Sequence, residues 1–302
     1  MISIIVSSIS PEQNQKFVQN IRETIGDIPY ELLVHDNRET HWGLCKLYNR
    51  LANQSNYDIL CFFHEDIFFH TQDWGNLIAD FLQQTPRAGV IGFAGSTLKS
   101  KILSGWGNRK ETSRKNLMQH RHGRKINLDQ VNPDKKDFSR VAVVDGLALI
   151  VKRDVWQQYP FDETTFRGFH LYDLDFSLQI ALHYENYVCH TILVEHLSSG
   201  SYSKIWYEET RKFHQKWASV LPFYVLPYSP SFIRISEEFA AYKLAKRELN
   251  NFWNPQGLKG VLRDRLACYN SSPRWYFYNL RLIPRMLKYL LKKRFRNNSA
   301  TR

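Results

Sequence analysis

The sequence predicts an α/β protein built on a mostly parallel β-sheet that is flanked by helices and followed by a C-terminal helical extension. Short apolar segments alternate with amphipathic segments over the first hundred residues, which is the pattern of consecutive βαβ units. The predicted strands are apolar along nearly their whole length, as expected where helices cover both faces of a sheet. A Pro-rich stretch, FYVLPYSPSF at 223–232, marks a boundary before the last part of the chain.

Local signals predict the first elements in order. Ile2–Ile9 is an apolar run rich in β-branched residues and predicts a strand. Ser10 can cap the helix predicted over Pro11–Ile25, which Gly26 ends. The next predicted elements are strands over Tyr30–His35, Tyr57–Phe63 and Gly89–Ala94 and helices over Leu44–Asn53 and Asp73–Gln84.

The second part of the sheet is interrupted by Ser96–Phe138, a polar and basic segment that predicts an irregular loop or hairpin over the sheet. Arg140–Val151 returns to the strand pattern, with a break at Asp145-Gly146. The later predicted elements are a short helix near Asp154–Gln158, a loop over Pro160–Gly168, a helix over Asp173–Tyr184, a strand over Tyr187–Val194 that ends at Glu195-His196, and helices over Trp206–Ala218 and Ser236–Leu249. We therefore expect one domain over residues 1–220 and a basic helical extension over 221–302.

Composition narrows the class of protein. The 302 residues are 43% apolar and 23% charged, which excludes a disordered or low-complexity chain. No apolar run approaches the roughly 18 residues of a membrane span, and the N-terminus lacks the basic region and cleavage site of an export signal. The four cysteines are scattered without a CxxC pair, so neither a disulfide framework nor a structural zinc site is expected. These features predict a cytoplasmic protein with reduced thiols.

The formal charge of +12 is concentrated in two segments. Residues 258–302 hold 12 Lys/Arg against one acid, Asp264, and residues 99–125 hold nine Lys/Arg against Glu111 alone. Uniform basicity would favour nucleic acid as a partner. Two discrete basic segments instead favour an anionic ligand, an anionic lipid surface, or both.

Charged and imidazole side chains follow the predicted strands at their carboxyl ends, where ligands bind in open α/β sheets. His64-Glu65-Asp66 ends the third strand, and its carboxylates can hold a divalent cation that bridges to phosphate, or simply cap the next turn. Asp36-Asn37 follows the second strand and suits either a ribose or base contact or an ordinary turn.

Four further residues are candidates. Asp173 and Asp175 lie at a predicted helix start, where one acid can cap the helix and the other can act as a general base. His170 can orient a substrate or pack, and His196 can bind a metal or be a satisfied histidine at a strand end. GxGxxG, GxxxxGK[ST], HExxH and GxSxG are all absent, which argues against common dinucleotide, P-loop, zincin and serine-hydrolase chemistry. One coherent use of the remaining set is to hold a nucleoside diphosphate through a metal and to deprotonate an incoming hydroxyl.

Five segments in order over roughly residues 1–220 resemble a family 2-type glycosyltransferase with the GT-A fold, a Rossmann-like sheet. More specifically, they resemble the glycosyltransferase-like subgroup with a His-x-Asp motif in place of DxD. The segments are ELLVHDN, GLCKLYNRLANQSNYDILCFFHEDIFF, VDGLALIVKRDVW with PFDETTF, FHLYDLDFSLQ, and VEHLSSGS.

The resemblance implies a role for each matching residue. Asp173 matches the catalytic base, and Asp66 matches the last acid of the metal motif, with His196 completing the metal or diphosphate site. His64 stands where the family has its first acid, which is a departure from the pattern. The residues assigned to the nucleotide donor are Ser7, Asp36, Asn37, His64 and Glu65, and those assigned to the transferred sugar and acceptor are Asp145, Gly146, His170 and Asp175.

The implied reaction is a single displacement with inversion at the anomeric carbon, assisted by Mg²⁺ or Mn²⁺. The donor would be a nucleotide-diphosphate sugar, and the acceptor would be a glycan or lipid-linked hydroxyl in the synthesis of a surface polysaccharide. Within RLIPRMLKYLLKKRFRNNSATR, apolar residues at helical spacing alternate with basic ones, so 279–296 predicts either a membrane-surface helix or a helix packed on the body. The first predicts a peripheral protein on the inner face of the membrane, with no nucleic acid as partner.

Two other functions stay open on the sequence. A nucleotidyltransferase on a similar sheet would need a Gly-rich, basic segment after the first strand, and SSISPEQN has neither feature. A non-enzymatic basic protein that binds membrane or nucleic acid would tolerate the loss of Asp66 and Asp173. The basic loop, Lys99–Lys125, can contact a phosphate of the donor or acceptor, or it can be a solvated surface loop.

Overall fold

The computed structural model describes residues 1–121, 124–198, 200, 202–268 and 272–299. The chain forms two compact units. The sheet unit comprises Met1–Lys99, Gly105–Ser201 and Pro222–Leu226, and the helical unit comprises Ser100–Ser104, Tyr202–Leu221 and Pro227–Arg302. This division differs from the predicted boundary at 220, because the helix over Lys204–Lys216 groups with the C-terminal helices.

A seven-stranded sheet forms the centre of the sheet unit. In spatial order its strands are β10 (Phe138–Val141), β13 (Glu185–Cys189), β5 (Ala88–Gly92), β12 (Ala148–Lys152), β3 (Ile59–His64), β1 (Ile2–Ser8) and β2 (Tyr30–Asp36). Parallel pairing joins β2 to β1, β1 to β3, and β5 to β13, while β10 and β12 run in the opposite direction. Five of the seven strands therefore point the same way, as the sequence predicts.

A second sheet lies at the carboxyl end of this strand set and contains the predicted hairpin. Its strands are β11 (Val143–Val144), β6 (Ala94–Ser96), β8 (Ser113–Arg121), β14 (Val194–His196) and β4 (Ile67–Phe69), with β9 (Arg124–Val131) paired to β8. A two-stranded ribbon joins β7 (Leu98–Lys99) to β15 (Phe223–Tyr224). The single strand predicted over Tyr187–Val194 is wrong: the chain leaves the main sheet after Cys189 and enters the second sheet at Val194.

The described residues of the sheet unit form six helices. They are α1 (Pro11–Thr24), α2 (Asn37–Thr40), α3 (Leu44–Gln54), α4 (Trp74–Gln84), α5 (Arg153–Gln158) and α6 (Tyr172–Ala181). Ser10 caps α1 by accepting a hydrogen bond from the Gln13 backbone N–H, and Gly26 follows the helix at φ +91°, a conformation that glycine adopts without strain. Phe17 of α1 and Trp74 of α4 pack against Phe63 of β3, and Trp74 also stacks on Phe69 of β4.

In the described part of the helical unit there are four helices: α7 (Lys204–Lys216), α8 (Pro230–Asn251), α9 (Gly257–Ala267) and α10 (Pro273–Ser299). Ser203 and Ser229 cap α7 and α8 through their hydroxyl groups. A small apolar core joins α8, α9 and α10 and is formed by Ala245, Leu249, Val261, Leu282 and Tyr289. This unit therefore has its own buried centre.

Candidate metal centre and acidic site

Two strand ends bring the predicted metal ligands together. His64 is the last residue of β3, Asp66 follows it in the turn to β4, and His196 ends β14. Because β14 pairs with β4 so that His196 lies opposite Ile67, its side chain is placed beside Asp66. The sheet pairing thus joins residues that are 130 positions apart in the chain.

The three side chains form a compact donor set. His64 Nδ1 lies 3.9 Å from Asp66 Oδ1, and His196 Nε2 lies 3.6 Å from Asp66 Oδ2. One ligand atom from each residue lies within 4.8 Å of the others. The site is partly enclosed, since His196 is buried and the other two are partly buried. Among the described residues, this is the one cluster of three such side chains with this spacing.

Hydrogen bonds fix both imidazole rings in orientations that favour metal binding. The Tyr172 hydroxyl donates to the Gly146 carbonyl at 2.9 Å, so it must accept from His64 Nε2–H at 2.7 Å. His64 Nδ1 therefore keeps its lone pair on the side of Asp66. Gln119 Oε1, 3.3 Å from His196 Nδ1, accepts from that nitrogen, so the lone pair of His196 is on Nε2. That nitrogen lies 3.6 Å from Asp66 Oδ2 and accepts a hydrogen bond from the Ser198 hydroxyl at 3.3 Å.

The chemistry of this donor set fits a divalent cation. Two imidazoles and one carboxylate, each with a second hydrogen-bonding partner, are typical of first-row transition-metal sites. Ser198 N–H donates to Asp66 Oδ2 at 3.2 Å and holds the carboxylate in place. An all-oxygen site, which Mg²⁺ prefers, is not what these three residues offer. The residues that would hold the ion are therefore His64, Asp66 and His196.

Asp173 lies next to this cluster in the first turn of α6. Its Oδ2 accepts a hydrogen bond from Gly146 N–H at 3.0 Å, which aims the carboxylate at the break between β11 and β12. Burial and the nearby negative charge of Asp145 raise the pKa of Asp173 to about 7. A carboxyl group with that pKa is suited to accept a proton near neutral pH.

Gly146 allows these groups to approach each other. A Cβ atom at this position would overlap the Tyr172 hydroxyl and crowd the Cβ of Asp173. The residue before α6, Leu171, is buried and adopts φ +64°, ψ 0°, a left-handed conformation that is strained for a leucine. The packing around Tyr172 and Asp173 thus holds the helix start in a fixed position.

Two predicted donor residues are used in folding. Glu65 is 8% exposed and accepts hydrogen bonds from Ser8 Oγ and from the backbone N–H groups of Ile9 and Ser10. Its carboxylate therefore stabilises the turn between β1 and α1. Asn37 bonds through its side-chain amide to both the N–H and the carbonyl of Trp42. Neither side chain has the free, site-facing arrangement that the sequence assignment expects.

Asp36 and Ser7 lie on the same sheet edge as the metal ligands. In the strand register Ser7 is opposite both His64 and His35, and Ser8 is opposite Asp36. At ~4.8 Å per strand, Asp36 is roughly 10 Å across the sheet from the end of β3. Its carboxylate is exposed and pairs with Arg38, whose hydrogen bonds lower the pKa of Asp36 to about 2.

The two acids of α6 do not face the same way. Asp175 follows Asp173 by two residues, which corresponds to about 200° around a helix, and its side chain is 1% exposed. The assignment of Asp175 to the transferred sugar therefore does not match its position. His170 is partly exposed in the turn before α6, with its ring beside Phe169.

In the described part of the chain, two of the nine basic residues counted over 99–125 form ion pairs with acids that follow this range. Arg114 pairs with Asp134, and Lys115 pairs with Asp129 on the neighbouring strand. Lys99 is buried in β7. The side chain of Lys125 lies outside the described residues. The charge count over residues 99–125 does not include these pairs, because Asp129 and Asp134 follow the basic segment rather than lie within it.

Sequence reasoning missed Tyr172, Gln119 and Phe169. Phe169 is 58% exposed, and its ring centroid lies 5.5 Å from that of His64, so it presents an aromatic face beside the metal cluster. The motif FHLY contained both aromatic residues, but nothing in the local pattern separates an exposed ring at a site from a packed one.

Residues 5–217 match the family model described as "Glycosyltransferase like family". No curated protein matches the sequence. The matched range contains every predicted site residue, and together with the observed sheet it confirms the predicted GT-A fold class.

Several solved structures are similar in fold. S. aureus TarS 1–349 in complex with UDP-GlcNAc is 10% identical, with 98% of this chain and 92% of that chain covered and a TM-score of 0.48. The mannosyltransferase PcManGT from Pyrobaculum calidifontis, in complex with GDP-Man and Mn²⁺, is 15% identical over 97% of this chain and 87% of that chain, with a TM-score of 0.46. GalNAc-T7 with UDP, GalNAc and Mn²⁺ is 11% identical, and the match spans 91% of this chain and 56% of that chain at a TM-score of 0.47.

Proposed function

The chain belongs to the glycosyltransferase-like family, and from this membership we propose that it moves a sugar from a nucleotide-diphosphate sugar to an acceptor hydroxyl with inversion at the anomeric carbon. The observation that carries the proposal is the juxtaposition of a metal-type donor set with a carboxyl group whose pKa is about 7. Tyr172 and Gly146 link the two through hydrogen bonds.

The donor would lie along the carboxyl edge of the sheet. His64, Asp66 and His196 would hold the ion, and Ser7 and Asp36 lie farther along the same edge toward β2. The distance of roughly 10 Å between these strand ends suits a nucleoside at β2 and a diphosphate at β3. A divalent ion bound there supplies positive charge to the diphosphate as it departs.

Asp173 would act as the general base. Its carboxylate takes the proton from the acceptor hydroxyl while that oxygen forms a bond to the anomeric carbon. The bond from the anomeric carbon to the diphosphate oxygen breaks in the same step, and the diphosphate leaves with the electron pair. The Gly146 N–H holds Asp173 in position through a hydrogen bond. Burial, together with the charge of Asp145, keeps the pKa of Asp173 high enough to accept the proton near pH 7.

The donor set favours Mn²⁺ over Mg²⁺. Imidazole nitrogen is a good ligand for transition metals, whereas Mg²⁺ retains water and oxygen ligands. Both imidazoles are already in the tautomer that faces the ion. We therefore expect higher activity with Mn²⁺ than with Mg²⁺ at equal concentration.

The acceptor would approach over the exposed ring of Phe169. Aromatic rings offer an apolar face on which a sugar ring can stack. The centroid of the Phe169 ring lies 5.5 Å from that of His64 and 6.4 Å from that of Tyr172. A glycan or lipid-linked acceptor in surface polysaccharide synthesis is consistent with such a face.

Helix α10 would bring the enzyme to an anionic membrane surface. One side of the helix packs in the helical unit through Leu282 and Tyr289. A second side, covering an arc of roughly 100°, exposes apolar residues at 46–65% of their surface: Tyr276, Leu280, Ile283, Leu287, Leu290 and Leu291. Basic residues line a third side, as Arg281, Arg285, Lys288 and Lys292. This three-sided pattern is typical of interfacial helices.

No helix in the described part of the chain combines the length and apolar composition that crossing a membrane requires. The side chains of 294–296, at the end of the predicted membrane helix, lie outside the described residues. We propose a peripheral location on the inner face of the membrane.

Turnover of a panel of nucleotide sugars, with Mn²⁺, Mg²⁺ or EDTA, tests the proposal. Asp173→Asn should abolish transfer and spare donor binding, whereas Asp66→Ala should weaken metal-dependent donor binding. Asp129→Ala, which removes an acid paired with Lys115 in the second sheet, serves as the control. Equal activity in wild type, Asp173→Asn and Asp66→Ala would refute the site. Transfer of a nucleotidyl group instead of the sugar would support the alternative reaction.

A further inference from the structure

The helical unit contains a cavity that uses none of the residues of the metal centre. It has a volume of about 430 Å³ and lies among α7, α8, α9 and the segment Ser100–Ser104. Its wall combines apolar side chains, among them Leu103, Leu244 and Val261, with four basic ones. The basic residues are Lys101, Arg211, Arg263 and Arg265, against two acids, Glu248 and Asp264.

Arg265 is the unusual member of this wall. Its side chain is 4% exposed, yet among the described residues neither Nη1 nor Nη2 has a hydrogen-bond partner. Only Nε is engaged, as a donor to Asn279 Oδ1 at 3.1 Å, and the guanidinium lies 5.7 Å from the ring of Trp275. A buried cation with two unused donor groups is costly unless a ligand completes its hydrogen bonds.

The acidic side chains in and beside the cavity already accept hydrogen bonds from groups other than Arg265. Glu248 accepts from the Tyr207 hydroxyl at 2.6 Å and from Asn254 Nδ2 at 3.0 Å. Asp264 accepts from Asn254 and from Arg263. Glu238, the acid whose charge acts on Arg265, accepts from the Ser272 hydroxyl through both oxygens. These contacts leave the wall with an excess of positive charge.

Hydrogen bonds to a buried carboxylate of α8 fix one wall of the cavity. Glu237 on α8 is 8% exposed and accepts hydrogen bonds from Ser100 Oγ and from the backbone N–H groups of Lys101 and Ile102. This carboxylate fixes the segment that carries Lys101 and Leu103 over the cavity. The cavity is therefore part of the folded helical unit.

We propose that this cavity is a second anion site, which binds the phosphate group of an organic phosphate through Arg265. Two parallel N–H groups of a guanidinium match two oxygens of a phosphate. Lys101 and Arg211 supply further positive charge, and the apolar wall fits the organic part of the ligand. A soluble phosphate ester and a lipid headgroup share this chemistry.

Calorimetric titration of the full chain in EDTA tests the site, with inorganic pyrophosphate as the soluble probe. Phosphatidylcholine vesicles with and without phosphatidic acid serve as the lipid probe. We expect binding of at least one probe, weakened about 10- to 100-fold by Arg265→Gln. Arg247→Gln, a control on α8 whose guanidinium stacks on Tyr202 outside the cavity, should bind as wild type does. Asp66→Ala should also bind normally, because the metal centre takes no part.

The soluble and lipid arms separate the two sources of phosphate. Binding of pyrophosphate alone identifies a soluble ligand, whereas binding confined to phosphatidic acid vesicles identifies a lipid headgroup. Arg265→Met tests the same point without relying on a polar replacement: it should fold and melt at least as high as wild type, but its melting temperature should no longer rise with the probe. Unchanged binding in Arg265→Gln, or no binding of either probe to wild type, would overturn the proposal.

Discussion

At the scale of single residues, Asp173 sets the pH range of the proposed reaction. Because burial and Asp145 raise its pKa to about 7, the carboxylate is half protonated near neutral pH. We expect kcat to rise about tenfold per pH unit below pH ~7 and to level off above it. A pH profile of kcat at saturating donor, acceptor and Mn²⁺ measures this. A profile that stays flat to pH ~5.5 would exclude Asp173 as the base.

The same shift predicts a gain in stability when Asp173 is replaced. A carboxyl whose pKa is higher in the folded chain than in the unfolded chain binds more protons when folded. Its ionisation therefore lowers the free energy of unfolding as the pH rises from about 4 to about 7. Asp173→Asn should raise the free energy of unfolding by ~1–2 kcal/mol at pH 8, with no gain below pH ~4. Denaturant unfolding at the two pH values checks this, and equal stability at pH 8 would contradict it.

Tyr172 is expected to support the metal centre without binding the ion. Tyr172→Phe removes the acceptor that keeps the proton on His64 Nε2, so we expect Mn²⁺ affinity to fall about 10-fold or more. Tyr187→Phe, which removes a hydroxyl bonded to Glu185, is the matched control. Mn²⁺ titration of the two variants makes the comparison. Equal affinity in Tyr172→Phe and wild type would show that the hydrogen bond does not orient His64.

At the scale of elements, α10 carries the membrane prediction. Ile283 and Leu287 are 46% and 58% exposed on the apolar side of the helix. The double variant Ile283→Glu/Leu287→Glu should retain its stability but lose most of its binding to anionic vesicles, since it removes apolar area and adds negative charge. Leu77→Glu, at an exposed position of α4, is the control. Vesicle sedimentation at low and physiological salt measures the effect, and unaltered binding would remove α10 as the membrane contact.

Elements also differ in how far the sequence determines them. Helix α1 was predictable because Ser10, Pro11 and Gly26 are local signals that the structure uses as expected. The break after Cys189 was not predictable from the sequence, because Val194–His196 pairs with strands whose residues lie far away in the chain. A continuous apolar run predicts a single strand, and only the neighbouring strands with which each half pairs show that it is divided between two sheets.

At the scale of the whole molecule, the sequence locates the reactive groups better than it assigns their roles. His64 ends β3 and Asp66 follows it directly, so the edge rule for parallel sheets predicts that both lie at the site. His196 joins them through the antiparallel pairing of β14 with β4 in the second sheet. Glu65 has the same local position, but its hydrogen bonds to the β1–α1 turn depend on the tertiary fold. That Nη1 and Nη2 of Arg265 have no hydrogen-bond partner in the described part of the chain is likewise visible only when its neighbours are known.

We propose that His64, Asp66 and His196 form one divalent-metal site. Electron paramagnetic resonance of free Mn²⁺ tests this, because binding removes the signal of the hydrated ion. We expect about one Mn²⁺ per chain, with affinity reduced at least about 10-fold by His64→Ala, Asp66→Ala or His196→Ala and retained in Asp129→Ala. Undiminished Mn²⁺ binding in all three ligand variants would contradict it.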